Sequence, residues 1–252
     1  QTIWMMQLSV IIISWNSGEV LHNCIKSLSE VFDCDDVELI RVDNGSNDGS
    51  ESFPTEESVI KLGENYGVAY ARNRGIEKAK GKYVLLLDDD TEATVTSIQQ
   101  MVDYMESHKD VGLCALPLVD GEGNVQKSYK EFPGLGVKVR NVLKSWLSDK
   151  KDDSTKLPIE EMEPFYLIGA CQMIRREAID TVGLLDEKIF YGPEDADFCM
   201  RLRNNGWRVV LIQGEPIIHH WRHISRRNPF SRISRLHIKA LLYFYFKHKR
   251  IL

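Results

Sequence analysis

Cysteine is scarce in this chain and shows no pairing pattern. The five cysteines, Cys24, Cys34, Cys114, Cys171 and Cys199, form an odd and scattered set with no Cys-x-x-Cys. This argues against a disulfide framework or a zinc site and fits a reducing cytosol. No apolar run reaches the roughly 20 residues that span a bilayer. Gln1 to Leu8 reads as too short, and wrongly charged, for a signal peptide. Internal repeats and low-complexity tracts are also missing. The stretch after the first strand candidate, Ser14-Trp15-Asn16-Ser17-Gly18, is neither a glycine-rich phosphate loop nor a Gly-x-Gly-x-x-Gly turn. That counts against a sugar nucleotidyltransferase and a dinucleotide-dependent oxidoreductase.

Acidic residues are lacking from His219 to Leu252, where nine Lys/Arg and five of the seven histidines fall. The remainder carries 23 Lys/Arg against 37 Asp/Glu, a net of −14 that the overall −5 conceals. A basic tail on an acidic body suits phosphates or an anionic membrane surface, and a solvated C-terminal helix explains it equally well. Leu236 to Phe246 is apolar and aromatic, bracketed by Arg232, Arg235, Lys247, Lys249 and Arg250. Such a segment can lie on a membrane, pack on its own domain or make a dimer contact.

What is present begins with length. At 252 residues and 43% hydrophobic, one large α/β core with an appended C-terminal part is expected. Strands are predicted at Leu8 to Ile13, Val37 to Val42, Val59 to Leu62, Tyr83 to Leu87 and Val111 to Leu116. Helices are predicted after Gly18, over Val68 to Ala79 and over Thr94 to Ser107. Alternating strands and helices give a mostly parallel sheet, with ligands beyond the carboxyl ends of its strands. Asp120 to Pro164 is less regular, and Ser148 to Lys156 reads as a charged loop. Periodicity returns over Phe165 to Arg175 and Arg176 to Val182. Pro193-Glu194-Asp195 opens a further helix, Asn205-Gly206 closes it, and late strands are placed at Val209 to Ile212 and Ile217-Ile218.

The most informative stretch is Leu85-Leu86-Leu87-Asp88-Asp89-Asp90. An apolar run with no polar face is a strand buried on both sides, and it ends in three carboxylates. Adjacent acids repel unless a cation sits among them, and oxygen ligands suit Mg2+ or Mn2+; a solvated acidic turn is the plainer alternative. Asp43 opens the turn Asn44-Gly45-Ser46-Asn47-Asp48-Gly49 at a strand's carboxyl end, where it could accept the imide N–H of a uracil or thymine. Arg72 could offer a diphosphate its planar fork. Asp195 and Asp197 point about 200° apart on a helix, so Asp195 is the candidate general base, Glu194 supports it or holds an acceptor hydroxyl, and Asp197 pairs with Arg201. His219-His220 offers one late metal ligand, since neighbours on a strand face opposite ways; His219 is narrowly favoured.

Taken in order, Val10 to Asn16, Val42-Asp43-Asn44-Gly45-Ser46, Asn65 to Gly75, Asp88 to Asp90, Gly169-Ala170-Cys171, Glu194-Asp195-Ala196-Asp197 and His219-His220 resemble the family 2 glycosyltransferases, especially rhamnosyltransferase-like members. The resemblance runs from about Leu8 to His220. It implies a GT-A fold: α/β, a single Rossmann-like, mostly parallel central sheet flanked by helices, with a C-terminal helical extension. The implied division is 1–221 for the catalytic domain (nucleotide half 8–117, acceptor half 118–221) and 222–252 for the extension. It implies an inverting, metal-dependent transfer from a UDP- or dTDP-sugar to a glycan or lipid-linked acceptor in surface polysaccharide synthesis. The setting is the cytoplasm or the inner face of the membrane. Ser14, Trp15, Asp43, Arg72, Asp88 and Asp89 would bind the donor. Asp90 with His219 or His220 would hold Mn2+ or Mg2+, and Asp195 with Glu194 would be catalytic. A nucleic-acid partner is not implied. Asp88-Asp89-Asp90 stands where rhamnosyltransferase-like members often have Asn-Pro-Asp, which weakens rhamnose as the donor sugar. A catalytically idle nucleotide-sugar-binding module, or a sugar nucleotidyltransferase of similar fold, is the alternative.

Overall fold

Strand β4 (Tyr83–Asp88) lies at the centre of a seven-stranded sheet, and its sequence explains its place. Tyr83, Leu85 and Leu87 enter the core on one face, and Val84 and Leu86 enter the core on the other. Burying both faces satisfies a continuous apolar run. The computed structural model describes residues 8–32, 36–50, 58–130, 160–220 and 232–248. The expected loop Ser148 to Lys156, Cys34 and the first seven residues lie outside them.

In chain order the sheet strands are β1 (Leu8–Ser14), β2 (Val37–Asp43), β3 (Ser58–Lys61), β4, β6 (Val111–Ala115), β11 (Cys171–Arg175) and β12 (Arg208–Leu211). Their spatial order is β12-β6-β11-β4-β1-β2-β3. β1 pairs in parallel with both β2 and β4, so Ser14 stands beside Asp43 and Ile13 beside Asp88. Three predicted site residues therefore share one rim by register alone. β11 is the exception to parallel pairing. It starts at that rim, Cys171 opposite Leu87, and runs back to Arg175 opposite Tyr83.

Helices cover both faces. α1 (Gly18–Ser27), α2 (Ser29–Phe32) and α4 (Val95–Ser107) bury Leu21, Cys24, Val31, Ile98 and Met101 on one side. α3 (Val68–Lys78), α5 (Arg176–Val182), α6 (Glu194–Asn204) and α7 (Arg232–Lys247) bury Ile76, Ile179, Phe198 and Phe244 on the other. Cys24, Cys114, Cys171 and Cys199 are buried and form no disulfide with one another. Thr94 caps α4 with a reciprocal Ser97 bond, the arrangement that satisfies two orphan donors of a helix start.

A small sheet completes the rim, in the order β5-β13-β7-β8, from β5 (Thr91–Glu92), β7 (Leu118–Val119), β8 (Val125–Gln126) and β13 (Ile217–His219). His219 pairs with Thr91 across β13 and β5, which carries the late histidine back to the acids that follow β4. β9 (Tyr129–Lys130) pairs with β10 (Tyr166–Leu167) nearby.

Candidate active site

Two elements meet at the loop before α3. Asn44 accepts from the Tyr66 N–H (3.0 Å) and donates to Asn65 (3.2 Å) and to the Gly67 carbonyl (3.3 Å). Gly67 has φ +93°, and a Cβ there would stand 2.3 Å from the Phe190 carbonyl oxygen. The next amide, Val68 N–H, donates to that same carbonyl at 2.9 Å. The segment leading to Glu194 and Asp195 is thus stitched to the rim at a place only glycine fits.

At the ends of β1 and β2, one Asp43 carboxylate oxygen accepts from the Ser46 N–H at 3.3 Å. Its other oxygen and the Ser14 hydroxyl are buried with no hydrogen-bond partner among the described residues. Buried polar atoms of this kind are rare and expensive, and a ligand donor is one way to satisfy them. Trp15, half-buried, gives its N–H to Asp89 at 3.3 Å.

The three strand-end acids take three different partners. Asp88 accepts from Arg72 at 2.6 Å, and the same Nη2 also donates to the Gly169 carbonyl at 2.6 Å. Arg72 is only 2% exposed, with Nε and Nη1 left without a partner among the described residues. Through Nη2 the guanidinium is thus fixed on Asp88 and on the Gly169 carbonyl. Asp89 accepts from the Ser17 hydroxyl as well as from the Trp15 N–H, so it braces the β1–α1 turn. Asp90 lies with a carboxylate oxygen 3.5 Å from Nε2 of His219.

The two histidines separate as strand alternation requires. His219 is buried, its Nδ1 2.9 Å from Oε1 of Gln126, which orients the ring and aims Nε2 at Asp90. Burial lowers the pKa of His219, favouring the neutral imidazole that ligates metal. His220 faces the other way, on Glu92 at 2.6 Å. Asp90 and His219 offer an oxygen and an imidazole nitrogen, both ligand types that divalent cations accept. Among the described residues no group of three His, Cys, Asp or Glu side chains is assembled.

Glu194 and Asp195 begin α6. Glu194 is buried, with Oε2 unpartnered among the described residues. Burial, then the negative charge of Asp195, push its carboxyl up to about 7, against the pull of Arg72. Asp195 is raised by burial too, opposed by Lys130, the Ala196 N–H, Arg72 and the Gly169 N–H. Burial opposes the charge on Arg72, but Asp88, Glu194 and Asp195 together outweigh it, so Arg72 titrates higher still. One guanidinium thus feels all three carboxylates. Asp197 is fully buried and bonds Arg201 at 2.8 Å, as its i,i+4 spacing predicts.

Gln126, Lys130 and the backbone of Gly169 join the site without standing among the candidate residues of the sequence. Gln126 and Lys130 lie where no motif is visible, and Gly169 opens the stretch Gly169-Ala170-Cys171. His237 of α7 also reaches the site's edge, its Nδ1 3.0 Å from the Tyr191 carbonyl.

An open sheet whose rim gathers strand-end aspartates, a late histidine and a helix-borne Glu-Asp pair defines a glycosyltransferase with the GT-A fold. The chain belongs to glycosyl transferase family 2, whose model matches residues 9–183. It is 25% identical over 264 residues to an N-acetylglucosaminyl-diphospho-decaprenol L-rhamnosyltransferase of Mycobacterium tuberculosis, covering 96% of this chain and 85% of the relative. Its fold is similar to that of a mannosyltransferase, PcManGT from Pyrobaculum calidifontis, in complex with GDP-Man and Mn2+ (TM-score 0.62, 17% identity, 98% of this chain and 65% of that one). It is also similar to S. aureus TarS in complex with UDP-GlcNAc (TM-score 0.59, 19% identity, 88% of this chain and 62% of that one). The chain thus spans slightly under two thirds of each of these two solved structures.

Proposed function

We propose that this glycosyltransferase is inverting and metal-dependent, moving a sugar from a UDP- or dTDP-linked donor to a hydroxyl of a glycan or lipid-linked acceptor during surface polysaccharide synthesis. Residues 8–117 would hold the donor and 118–221 the acceptor, at the inner face of the cell membrane. The observation that carries this reading is Arg72, which bonds Asp88 and also feels the charges of Glu194 and Asp195. It supports a base that acts beside the donor acids.

Asp43 and Ser14, with buried unpaired oxygens, receive the nucleoside. Asp88, fixed by Arg72, faces ribose or sugar. Asp90 and His219 would hold the divalent ion, which when bound neutralises charge developing on the departing diphosphate. Asp195 removes the proton from the acceptor hydroxyl as its oxygen attacks the anomeric carbon from the face opposite the leaving group. The raised carboxyl of Glu194 lets the pair carry that proton near neutral pH. The named relative supports a lipid-linked acceptor, and the ligands of the two solved neighbours support a nucleotide-sugar and Mn2+.

The test is nucleoside-diphosphate release from a panel of UDP-, dTDP- and GDP-sugars, with Mn2+, Mg2+ or EDTA. Release that needs metal and falls by about 10²–10⁴-fold in Asp195→Asn is expected. Metal-independent turnover, or full turnover in that variant, would overturn the reading.

A further inference from the structure

α7 has two faces, and its own domain uses only one. On the inner face Ala240, Phe244 and Tyr245 are buried. Lys247 bonds Asp186 at 2.7 Å and Asp197 at 2.6 Å, and His248, just past the helix end, meets Asp197 at 2.8 Å. On the outer face Ile238, Leu242 and Phe246 are 55%, 59% and 77% exposed. They recur every fourth residue, so they form one line along the helix. Among the described residues only five large hydrophobics are exposed. Three are on this line, and a fourth, Tyr191, sits against His237 of the same helix.

Charge selects the occupant. α7 contains no Asp or Glu, and Arg235 and Lys239, both exposed, recur at the same four-residue interval beside the apolar line. An apolar line with basic flanks and no acid matches a lipid surface bearing anionic headgroups, where acyl chains take the side chains and phosphates take the cations. The sixteen residues of α7 rise about 24 Å, short of a hydrocarbon core of about 30 Å, and no described helix is long and apolar enough to span a membrane.

We infer that the Ile238-Leu242-Phe246 face of α7, with Arg235 and Lys239, docks the enzyme on an anionic membrane surface. This deepens the function proposed above by naming the face that meets the lipid, and rests on it for the lipid-linked acceptor. α7 is pinned to α6 through Asp197 and to the approach to Glu194 through Tyr191. Docking would therefore hold the Glu194-Asp195 end of the site near the bilayer.

The test is co-sedimentation of the full chain with phosphatidylcholine vesicles, with and without phosphatidylglycerol. Binding is expected only to the anionic vesicles and should be released by about 0.5 M salt. Leu242→Glu/Phe246→Glu should lower partitioning on the order of a hundredfold, and Arg235→Glu/Lys239→Glu should lower it too. Melting temperature and nucleoside-diphosphate release with a soluble acceptor should hold in both. Absence of vesicle binding, or binding indifferent to both double variants, overturns the docking face. So does a wild-type dimer in light scattering that Leu242→Glu dissociates, since a second copy would then cover the line. Vesicle binding without any transferase activity would uphold docking and sink the catalytic proposal, so the two fail separately.

Discussion

Asp90 and His219 face one another at 3.5 Å because β13 pairs with β5, immediately after the acids that end β4. Removing either side chain should abolish Mn2+-dependent donor binding in calorimetry. His220→Ala, with its ring on Glu92, should leave binding intact. Gln126→Leu frees the far nitrogen of His219 and should weaken metal affinity by about 10–100-fold. Unchanged affinity in Asp90→Ala would refute the metal assignment.

Asp195→Asn keeps the shape of the pair and removes the proton acceptor. Donor affinity should be unchanged while turnover falls by about 10²–10⁴-fold. A loss that appeared in donor affinity and spared turnover would assign Asp195 to binding.

Acidity should report the pair directly. Both carboxyls are raised by burial, Glu194 to about 7, and a base acts only when unprotonated. Turnover should fall as pH drops through about 7, well above the ordinary carboxylate range. The sign for folding is opposite. The native state keeps protons that the unfolded chain has already released, so stability declines as pH rises from that range toward 7. Glu194→Gln should shift the activity limb downward and flatten the decline in melting temperature. A limb that stays in place would separate Glu194 from the base.

Gly169 is the hinge of the arginine. A Cβ there would stand 2.6 Å from Nη1 of Arg72, so Gly169→Ala should press on the guanidinium and loosen its hold on Asp88. Overpacking of this kind costs about 1–3 kcal/mol, and turnover should fall with it. Normal thermal stability and normal turnover together would show that Arg72 adapts freely.

The rim itself was legible in sequence because it depends on local pattern. A strand apolar on both faces must be interior, and the acids after Leu87 then fall at its carboxyl end. The spacing of Asp197 and Arg201 was equally readable. Arg72 was not, because its burial depends on Gly169, distant in sequence and brought close only by the reversed strand β11. Gln126 was hidden for a similar reason: it gains meaning only when β8, β7 and β13 form one sheet. Whether His219 or His220 turned toward Asp90 needed Glu92 on the opposite side. The grip of α7 on Asp186 and Asp197 crosses too much chain for periodicity to reveal.

That grip constrains how the protein could be rebuilt. Cutting the chain before Arg232 would strip Lys247 and His248 from a fully buried anion and leave Arg201 to neutralise it alone. A chimera that borrowed another enzyme's last helix would therefore have to bring matching partners for positions 186 and 197, since helix and socket form one inherited unit.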